Sequence, residues 1–434
     1  MLRFIEMALA AFAVVILTGT HFYWFALGVP AGVTLDELAA YEGQIRNVFL
    51  VAYIIVVLLA VLNWEKMILG LLAIWPITLL IAFAWLSTFW TVAPEFTSRR
   101  CIALTVTTLM GVYLFTRFDF DVLLRFLVTV AAIIVIACIA WVFLVPAYGL
   151  HNDASHPGAW RGIFFHKNRT GRVMVFCLAI VIAAWINGGI SKLALTLLAA
   201  LILLVIAGTT SQTTLLGVLV LVAGLIAIRM VRGKALISAL VTLVILAVAW
   251  HGALIAATSY ELILEALGRD ASLTGRTDIW VYALDWAFKR PFTGYGYDAF
   301  WNGELSPGAQ YATYWETPHS HNAWIEVFIA LGLPGVFLMM GMMLVTLFRA
   351  VILARYYPSA APAALITLIC FSLLTIGMAE PVFLEKHTFD WVLLVATVGC
   401  ARALMSRLGH IGQESVAPDG QSLPSTSRLR RSPT

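Results

Sequence analysis

Charged residues are scarce in this sequence. Asp, Glu, Lys and Arg make up 12% of its 434 residues, whereas hydrophobic residues make up 62%. In soluble globular proteins about a quarter of the residues are charged and about half are apolar. The composition therefore excludes an ordinary soluble domain and is typical of a protein that lies in a membrane.

The long apolar runs lack the alternation of polar and apolar residues that a transmembrane β-barrel strand needs, so a barrel is excluded. Runs of about 20 residues, enough for a helix to cross a hydrocarbon core of about 30 Å, recur along the chain. We predict an all-α polytopic membrane protein with about twelve transmembrane helices. The predicted spans are residues 6–28, 47–63, 67–87, 100–116, 121–146, 172–187, 192–208, 212–228, 235–257, 322–348, 360–378 and 388–405.

A signal-peptide cleavage site and a cysteine motif are also missing. The first apolar run, "MALAAFAVVILTG", continues through "THFYWFALGV" with no small-residue cleavage site, so we predict a retained first helix. The five cysteines have no metal-binding spacing, and we expect them to pack as small hydrophobic residues. They are Cys101, Cys138, Cys177, Cys370 and Cys400.

The basic residues predict the orientation, because short cytoplasmic loops are enriched in Lys and Arg. The segment "RMVRGK" (229–234), Arg349 and Arg355 mark inner loops, whereas the first outer loop carries Asp36 and Glu37. We therefore predict that both termini lie in the cytoplasm.

This orientation puts a long loop, about 258–321, on the periplasmic side between the ninth and tenth spans. Residues 1–405 then form one integral membrane domain, and residues 406–434, rich in Ser, Pro, Gly and Arg, form a disordered cytoplasmic tail.

Eight basic residues lie in the long loop and in residues 151–172, although basic residues are usually depleted on the outer side of the membrane. Either they form local ion pairs in solvated loops, or they bind an anionic ligand at the outer membrane face, which we favour for the set as a whole. They are Arg161, Lys167, Arg169, Arg172, Arg269, Arg276, Lys289 and Arg290.

The long loop contains a segment with helical periodicity, residues 277–289. Its apolar residues recur at helical spacing, but it is too short and too charged to span, so we predict an amphipathic helix near the interface. Thr274 or Thr277 is the candidate cap, and Arg276 then stands at a helix N-terminus, which is a ready site for a phosphate. The following "RPFTGYGYDAF" ends the helix at Pro291, and its glycines allow tight turns or a close approach to a ligand.

Residues 319–322, "HSHN", stand directly before an apolar span. Histidine has an ordinary pKa of about 6.5, which suits proton transfer near neutral pH. His319 and His321 are therefore candidates for catalysis, although a structural hydrogen-bonding role stays open. A metal site is the minor alternative, because the i,i+2 spacing has no accompanying carboxylate pair. The "GLPG" sequence (332–335) should kink the span.

A third polar block, "FFHKNRTGR" (164–172), places His166, Lys167, Asn168 and Arg169 before the sixth span. Positive charge at a helix N-terminus is slightly unfavourable. We therefore favour a functional role for these basic residues over a merely solvated helix start. A weaker element is the polar hairpin "GTTSQTT" (208–214), whose hydroxyls are also ordinary helix caps.

These blocks resemble, in this order, the superfamily of O-antigen ligases and Wzy-type polymerases. The resemblance rests on "WTVAPEFTSRR", "GIFFHKNRTG", "TTSQTTL", "GRTDIWVYALDWAFKRPFTGYGYDAF" and "HSHNAWIEVFIALGLPGVF". The last two are the most specific. The "HKN" sequence and the W-x-x-x-P-E pattern are most similar to the ExoQ-like exopolysaccharide polymerases.

The resemblance implies a GT-C-like glycosyltransferase at the periplasmic face of the bacterial inner membrane. Its donor would be an oligosaccharide on undecaprenyl pyrophosphate, with no metal or other cofactor. Arg276 would hold the pyrophosphate, and His321 would assist the acceptor hydroxyl or the leaving group. Gln212 stands where ligases often have arginine, so Lys167 or Arg169 is the candidate for the missing charge. The substrate-binding residues would be Lys167, Arg169, His166, Asn168, Gln212, His319, Asn322 and Arg290.

The partners implied are the lipid-linked oligosaccharide, membrane lipid, and chain-length and export proteins of the same pathway, with no nucleic acid. We predict polymerisation of repeat units into exopolysaccharide. Ligation of the glycan to lipid A core or to a protein is the first alternative. A transporter or flippase is the second, and it predicts charges at mid-membrane depth. Glu380 is the nearest candidate for such a charge.

Overall fold

The computed structural model describes residues 2–29, 41–152, 156–233, 274–303, 306–315 and 319–414. In these ranges the chain is helical, without strands, and the only extended pairing is one isolated bridge between Leu150 and Trp160. The predicted all-α class is therefore confirmed. The helices are α1 (Leu2–Leu17), α2 (Phe22–Leu27), α3 (Glu42–Leu62), α4 (Trp64–Ala73), α5 (Trp75–Leu86), α6 (Pro94–Arg117), α7 (Phe120–Leu144), α8 (Pro146–Gly149), α9 (Lys167–Asn187), α10 (Lys192–Thr209), α11 (Gln212–Gly233), α12 (Thr274–Lys289), α13 (Pro307–Trp315), α14 (Ala323–Tyr356), α15 (Ala361–Ile376) and α16 (Phe389–Glu414).

Seven of the described helices are long and apolar enough to cross a membrane, or eight if α4 and α5 are counted as one bent span. The predicted count of about twelve stays a prediction, and its ninth span, 235–257, lies outside the described residues. Helix α16 continues to Glu414, beyond the predicted span end at 405. The predicted tail lies mostly outside the described residues and also stays a prediction.

Two predicted spans are broken in the structure. The span predicted at 67–87 is bent by 94° between α4 and α5, because Pro76 in the first turn of α5 has no N–H to continue the preceding helix. The span predicted at 6–28 is interrupted at Gly19, which has a φ of +66°. A side chain there would collide with the guanidinium of Arg169, 2.3 Å from the site of the missing Cβ.

Helices α9 and α15 form the centre of the bundle. Most residues of α9 and nearly all residues of α15 are buried, and α15 packs against α9, α11, α14 and α16. A helix that is apolar all round is stable where other helices or lipid cover it, and here the cover is mainly other helices. The five cysteines are all buried and unpaired, which confirms their predicted role as small hydrophobic residues.

Helix α14 is kinked where "GLPG" predicted a kink. Gly332 has non-helical angles, φ 68° and ψ −170°. Pro334 has no N–H, so the carbonyl of Ala330 loses its helical donor. Leu333 donates instead to the carbonyl oxygen of Pro291, 2.7 Å away, which frees one further carbonyl in the preceding turn.

The loop after α12 takes over both free carbonyls. Tyr295 donates its N–H to Ile329 at 2.8 Å, and Gly296 donates to Ala330 at 3.1 Å. This approach requires glycine, since a Cβ at Gly294 would lie 2.5 Å from the Ala330 carbonyl. The glycines of this loop therefore allow a close approach to α14, and the loop is fixed to the kinked helix by backbone hydrogen bonds.

The predicted loop helix is present as α12. Ile279, Ala283 and Ala287 are buried on one face and pack against the first two turns of α14. The side chains of the candidate caps, Thr274 and Thr277, lie outside the described residues. Helix α12 thus ends beside the kink of α14 and brings its N-terminal arginine towards the polar residues that precede α14.

Candidate active site

The loop between α15 and α16, residues 377–388, connects the predicted site blocks. Ala323 donates its N–H to the carbonyl oxygen of Gly377 at 2.7 Å, and the amide of Asn322 donates to Met378 at 3.5 Å. The other end of the Asn322 side chain accepts hydrogen bonds from the N–H groups of Trp324 and Ile325, as a helix N-cap does. Asn322, predicted to bind substrate, therefore fixes the start of α14 to this loop.

Two more blocks reach the same loop. The Arg276 guanidinium donates to the carbonyl oxygen of Ala379 at 3.5 Å. The amide of Asn168 donates to the carboxylate of Glu380 at 3.2 Å, and its oxygen accepts from the hydroxyl of Ser211 at 3.0 Å. Three separate sequence blocks therefore meet at residues 377–380, and the polar hairpin is joined to them through Asn168. In the polar hairpin it is Ser211 that makes this contact, whereas Gln212 is exposed.

His319 and His321 form an edge-to-face pair with ring centroids 4.1 Å apart, and His319 Nδ1 accepts the N–H of His321 at 3.2 Å. His321 has a φ of +55°, an unusual conformation for a residue with a side chain. Its Nδ1 is buried and has no hydrogen-bond partner among the described residues. A buried polar atom of this kind is costly, and strained residues cluster at functional sites.

The two imidazoles are neutral at physiological pH. Burial lowers the pKa of His321 to about 4, and the charges of Arg276 and His166 contribute. Burial lowers the pKa of His319 to about 3, with a smaller contribution from His321, although Glu380 acts in the opposite direction. A neutral imidazole can accept a proton. The same effects indicate that Arg276 lies close enough to both rings to act on them.

His166 caps α9 with its ring, because Nδ1 accepts the N–H of Asn168 at 3.2 Å. His151 accepts the N–H of Lys167 in the same way at 3.0 Å. The rings of His151, His156 and His166 have centroids 5.0 to 5.5 Å apart. Burial lowers the pKa of His166 to about 4, and His151 contributes. Within the part of the chain that the structure describes, no group of three His, Cys, Asp or Glu residues has the geometry to hold a metal ion.

Three arginines of residues 151–172 bind protein groups. Arg161 donates to the carbonyls of Tyr148 and Ala147 at 2.8 and 3.1 Å, and Arg169 donates to those of His387 and Thr18 at 2.7 and 3.3 Å. Arg172 is buried in an ion pair of 2.8 Å with Asp390 and lies 3.5 Å from Glu385. The local-pairing alternative thus accounts for much of the charge in this stretch.

The basic residues at the end of α12 are exposed. Arg290 lies over the ring of Tyr295, with 4.7 Å from its guanidinium carbon to the centroid. Lys289 forms an ion pair of 2.7 Å with Asp285. Arg269 lies outside the described residues. Of the two predicted substrate-contacting arginines in this part of the chain, Arg276 on α12 and Arg290 directly after it, the structure therefore brings Arg276 to the histidines.

The structure contains a second cluster of charged residues that was not predicted from the sequence. Arg100 and Lys386 both form ion pairs with the same carboxylate oxygen of Asp298, the first at 3.0 Å. Although burial acts against it, Lys386 and Arg100 hold the pKa of Asp298 below its usual value. Arg100 and Asp298 lie in two of the quoted motifs, but nothing in their spacing indicated that they would meet.

The arrangement suits chemistry on a phosphate ester. Arg276 supplies a charged donor, and His321 supplies a neutral imidazole with an unpaired nitrogen. His319 contacts His321 and belongs to the lining of a cavity that the second cluster also lines. Arginine is well suited to phosphate because of its forked donors.

Comparison with known proteins supports the resemblance. Residues 197–340, which include Arg276, His319 and His321, match the O-antigen ligase family. The chain is also 28% identical over 332 residues to the exopolysaccharide production protein ExoQ of Rhizobium meliloti (strain 1021), an alignment that covers 71% of this chain and 72% of that protein. The predicted resemblance to this superfamily is confirmed, and the chain is a helical, multi-pass membrane protein that contains a region similar to the O-antigen ligases.

Proposed function

We propose that the protein polymerises oligosaccharide repeat units linked to undecaprenyl pyrophosphate into exopolysaccharide at the periplasmic face of the inner membrane. The observation that carries this proposal is the meeting of three separated blocks at residues 377–380, which gathers Arg276 and the histidines of two loops. The family and the exopolysaccharide relative support a lipid-linked saccharide as the substrate.

In the proposed reaction Arg276 binds the pyrophosphate of the donor. The acceptor hydroxyl oxygen bonds to the anomeric carbon while the bond from that carbon to the pyrophosphate oxygen breaks. The electron pair leaves with the pyrophosphate, and the hydroxyl proton passes to the neutral imidazole of His321. Negative charge grows on the leaving group, so a fixed guanidinium stabilises the transition state more than the ground state. The pyrophosphate charge in turn favours the imidazolium that forms.

The remaining predicted substrate-binding residues divide by their contacts. His166, Asn168 and His319 adjoin the proposed pyrophosphate site, and Lys167 stands with them at the start of α9. Asn322 and Arg169 bind backbone carbonyls of Met378 and His387, so their role would be to position the 377–388 loop. Arg290 and Gln212 are exposed, and a contact of either with substrate would be with its glycan part.

Glycan ligation remains the second candidate, because the matching family is described as O-antigen ligase. A transporter is less well supported. The most buried charge pair, Arg172 with Asp390, lies in the first two turns of α9 and α16 and so near their ends. A transport pathway would favour charges in the middle of the spans.

The test is an assay of the purified protein with a defined undecaprenyl-pyrophosphate-linked repeat unit. We expect products of several repeat units and release of undecaprenyl pyrophosphate, at a rate that a chelator leaves unchanged. A deletion strain separates the candidates: a polymerase defect leaves single repeats, whereas a ligase defect leaves finished polymer that is not attached to its carrier. Lack of any glycosyl transfer by the purified protein would contradict both.

A further inference from the structure

A cavity of about 250 Å³ lies beside the histidine pair. Its walls are the loop that follows the glycines of "TGYG", the second half of the 377–388 loop, and the first turns of α14. His319 belongs to its lining. The cavity therefore shares one side chain, His319, with the proposed pyrophosphate site. Its other lining residues have no role in the proposed reaction.

The charges in this cavity are largely compensated by the protein itself. Asp298 is paired with Arg100 and Lys386, and Glu385 lies 3.5 Å from Arg172. A site whose cations are already bound to carboxylates is poorly suited to a second pyrophosphate. This distinguishes the cavity from the neighbouring cluster around Arg276 and points to an uncharged ligand.

Glu326 is the exception among these charged groups. No cation lies within ion-pair distance of it in the described ranges of the chain. Its carboxylate accepts hydrogen bonds from the indole N–H of Trp301, at 3.1 and 3.2 Å to the two oxygens, and from the backbone N–H of Ser320. A carboxylate has about four acceptor positions, so Glu326 keeps acceptor capacity, and it belongs to the lining of the cavity.

Aromatic rings complete the lining. Trp301 packs edge-to-face on Phe300, with centroids 5.0 Å apart, and Phe383 belongs to another wall. A small number of fixed polar groups among aromatic side chains is usual for a small-molecule site. A sugar ring matches this combination, because its hydroxyls donate hydrogen bonds and its carbon face is apolar.

We propose that this cavity binds the terminal sugar of the acceptor glycan. Glu326, oriented by Trp301, accepts a hydrogen bond from a sugar hydroxyl, and His319 separates this sugar from the donor pyrophosphate. The inference rests on the proposed function, since it assigns the acceptor of that same reaction. It predicts that donor and acceptor binding can be changed independently by substitution.

The test is transfer from a radiolabelled lipid-linked repeat unit to the free repeat-unit saccharide, with each varied in turn. Glu326→Gln keeps the shape of the side chain and its bond from Ser320, but replaces one oxygen with an amide group that cannot accept a hydrogen bond. Trp301→Phe keeps an aromatic ring, although a smaller one, and removes the indole N–H. For Glu326→Gln we expect the KM for the saccharide to rise about tenfold, as for loss of a hydrogen bond that leaves a buried partner unpaired. The KM for the lipid-linked donor should change by less than about twofold.

The matched control is Glu95→Gln, which alters a carboxylate that is 84% exposed and lies outside the cavity lining. It should leave both constants unchanged. An unchanged saccharide KM in active Glu326→Gln and Trp301→Phe proteins, or an equal rise in both constants, would overturn the acceptor site and leave the proposed function intact. Absence of transfer by the unsubstituted protein would overturn the proposed function and this inference with it.

Discussion

The side-chain amide of Asn168 donates a hydrogen bond of 3.2 Å to the carboxylate of Glu380, 212 positions further along the chain. This bond joins the start of α9 to the same loop that accepts the Arg276 guanidinium at Ala379. Asn168 and Glu380 are therefore a pair through which the polar block before α9 is held against the 377–388 loop.

Asn168→Asp should disrupt this pair, because it places a second carboxylate against Glu380. Like charges at hydrogen-bond distance repel, and the bond from Ser211 gains at most a small part of the loss. We expect glycosyl transfer to fall by about tenfold or more, the equivalent of about 1–3 kcal/mol for a buried polar group left unpaired.

The control for that experiment is the double variant Asn168→Asp, Glu380→Gln, which restores a donor opposite a carboxylate. Transfer should recover in the double variant, with insertion into the membrane normal throughout. If Asp at position 168 alone had no effect on the rate, the pair would have no positioning role.

The pH dependence of kcat/KM should reflect the neutral imidazole of His321. Because burial and Arg276 lower the pKa of His321 to about 4, the ring stays unprotonated as the pH falls through the ordinary histidine range. We expect kcat/KM to be constant between about pH 7.5 and 6, and to decline only as the pH approaches the lowered pKa.

His321→Ala should remove most of the activity, and the remaining activity should no longer show the decline of kcat/KM at low pH. The measurement is the initial transfer rate at low donor concentration, which reports the free enzyme. A limb centred near the ordinary pKa of about 6.5 in the unsubstituted protein would contradict this assignment.

Gly296→Ala should destabilise the loop that is bound to the kink of α14. Gly296 has a φ of +99°, and an added Cβ would lie 2.5 Å from the side chain of Thr91. We expect a loss of about 1–3 kcal/mol in the free energy of unfolding, measured by thermal or denaturant unfolding in detergent.

Gly158→Ala is a control for the conformational part of that effect. Gly158 also has a positive φ, +73°, but nothing lies within 4 Å of its missing Cβ. Its loss should be limited to about 1 kcal/mol. Equal losses at both positions would show that contact with Thr91 contributes nothing.

Much of the fold could be predicted from the sequence, because continuous apolar runs determine where the helices lie, and single Gly and Pro residues determine where a helix bends. Pro334 and Gly332 predicted the kink of α14, and the amphipathic pattern predicted α12. The break at Gly19 was not predictable, because it depends on the Arg169 guanidinium, which comes from a distant part of the chain.

The site was predictable only in part. Arg276 and the two histidines stand in recognisable polar blocks, but the loop that connects them accepts through the backbone carbonyls of Gly377, Met378 and Ala379. Every residue has a carbonyl, so no residue type marks such a role. Asp298 and its cations were missed for a related reason, since ion pairs between distant positions leave no spacing to detect.

The most direct test of the account is the rate at which purified Arg276→Ala transfers glycan from an undecaprenyl-pyrophosphate-linked repeat unit. Loss of one preorganised donor to a developing anion costs about 100- to 1,000-fold, so we expect a loss of that order with normal insertion and thermal stability. Arg276→Lys should retain an intermediate rate, and Arg99→Ala, which alters an arginine that is 70% exposed in the first two turns of α6, should stay within about twofold of the unsubstituted protein. Full activity in a correctly inserted Arg276→Ala protein would contradict the central claim that this arginine binds the pyrophosphate.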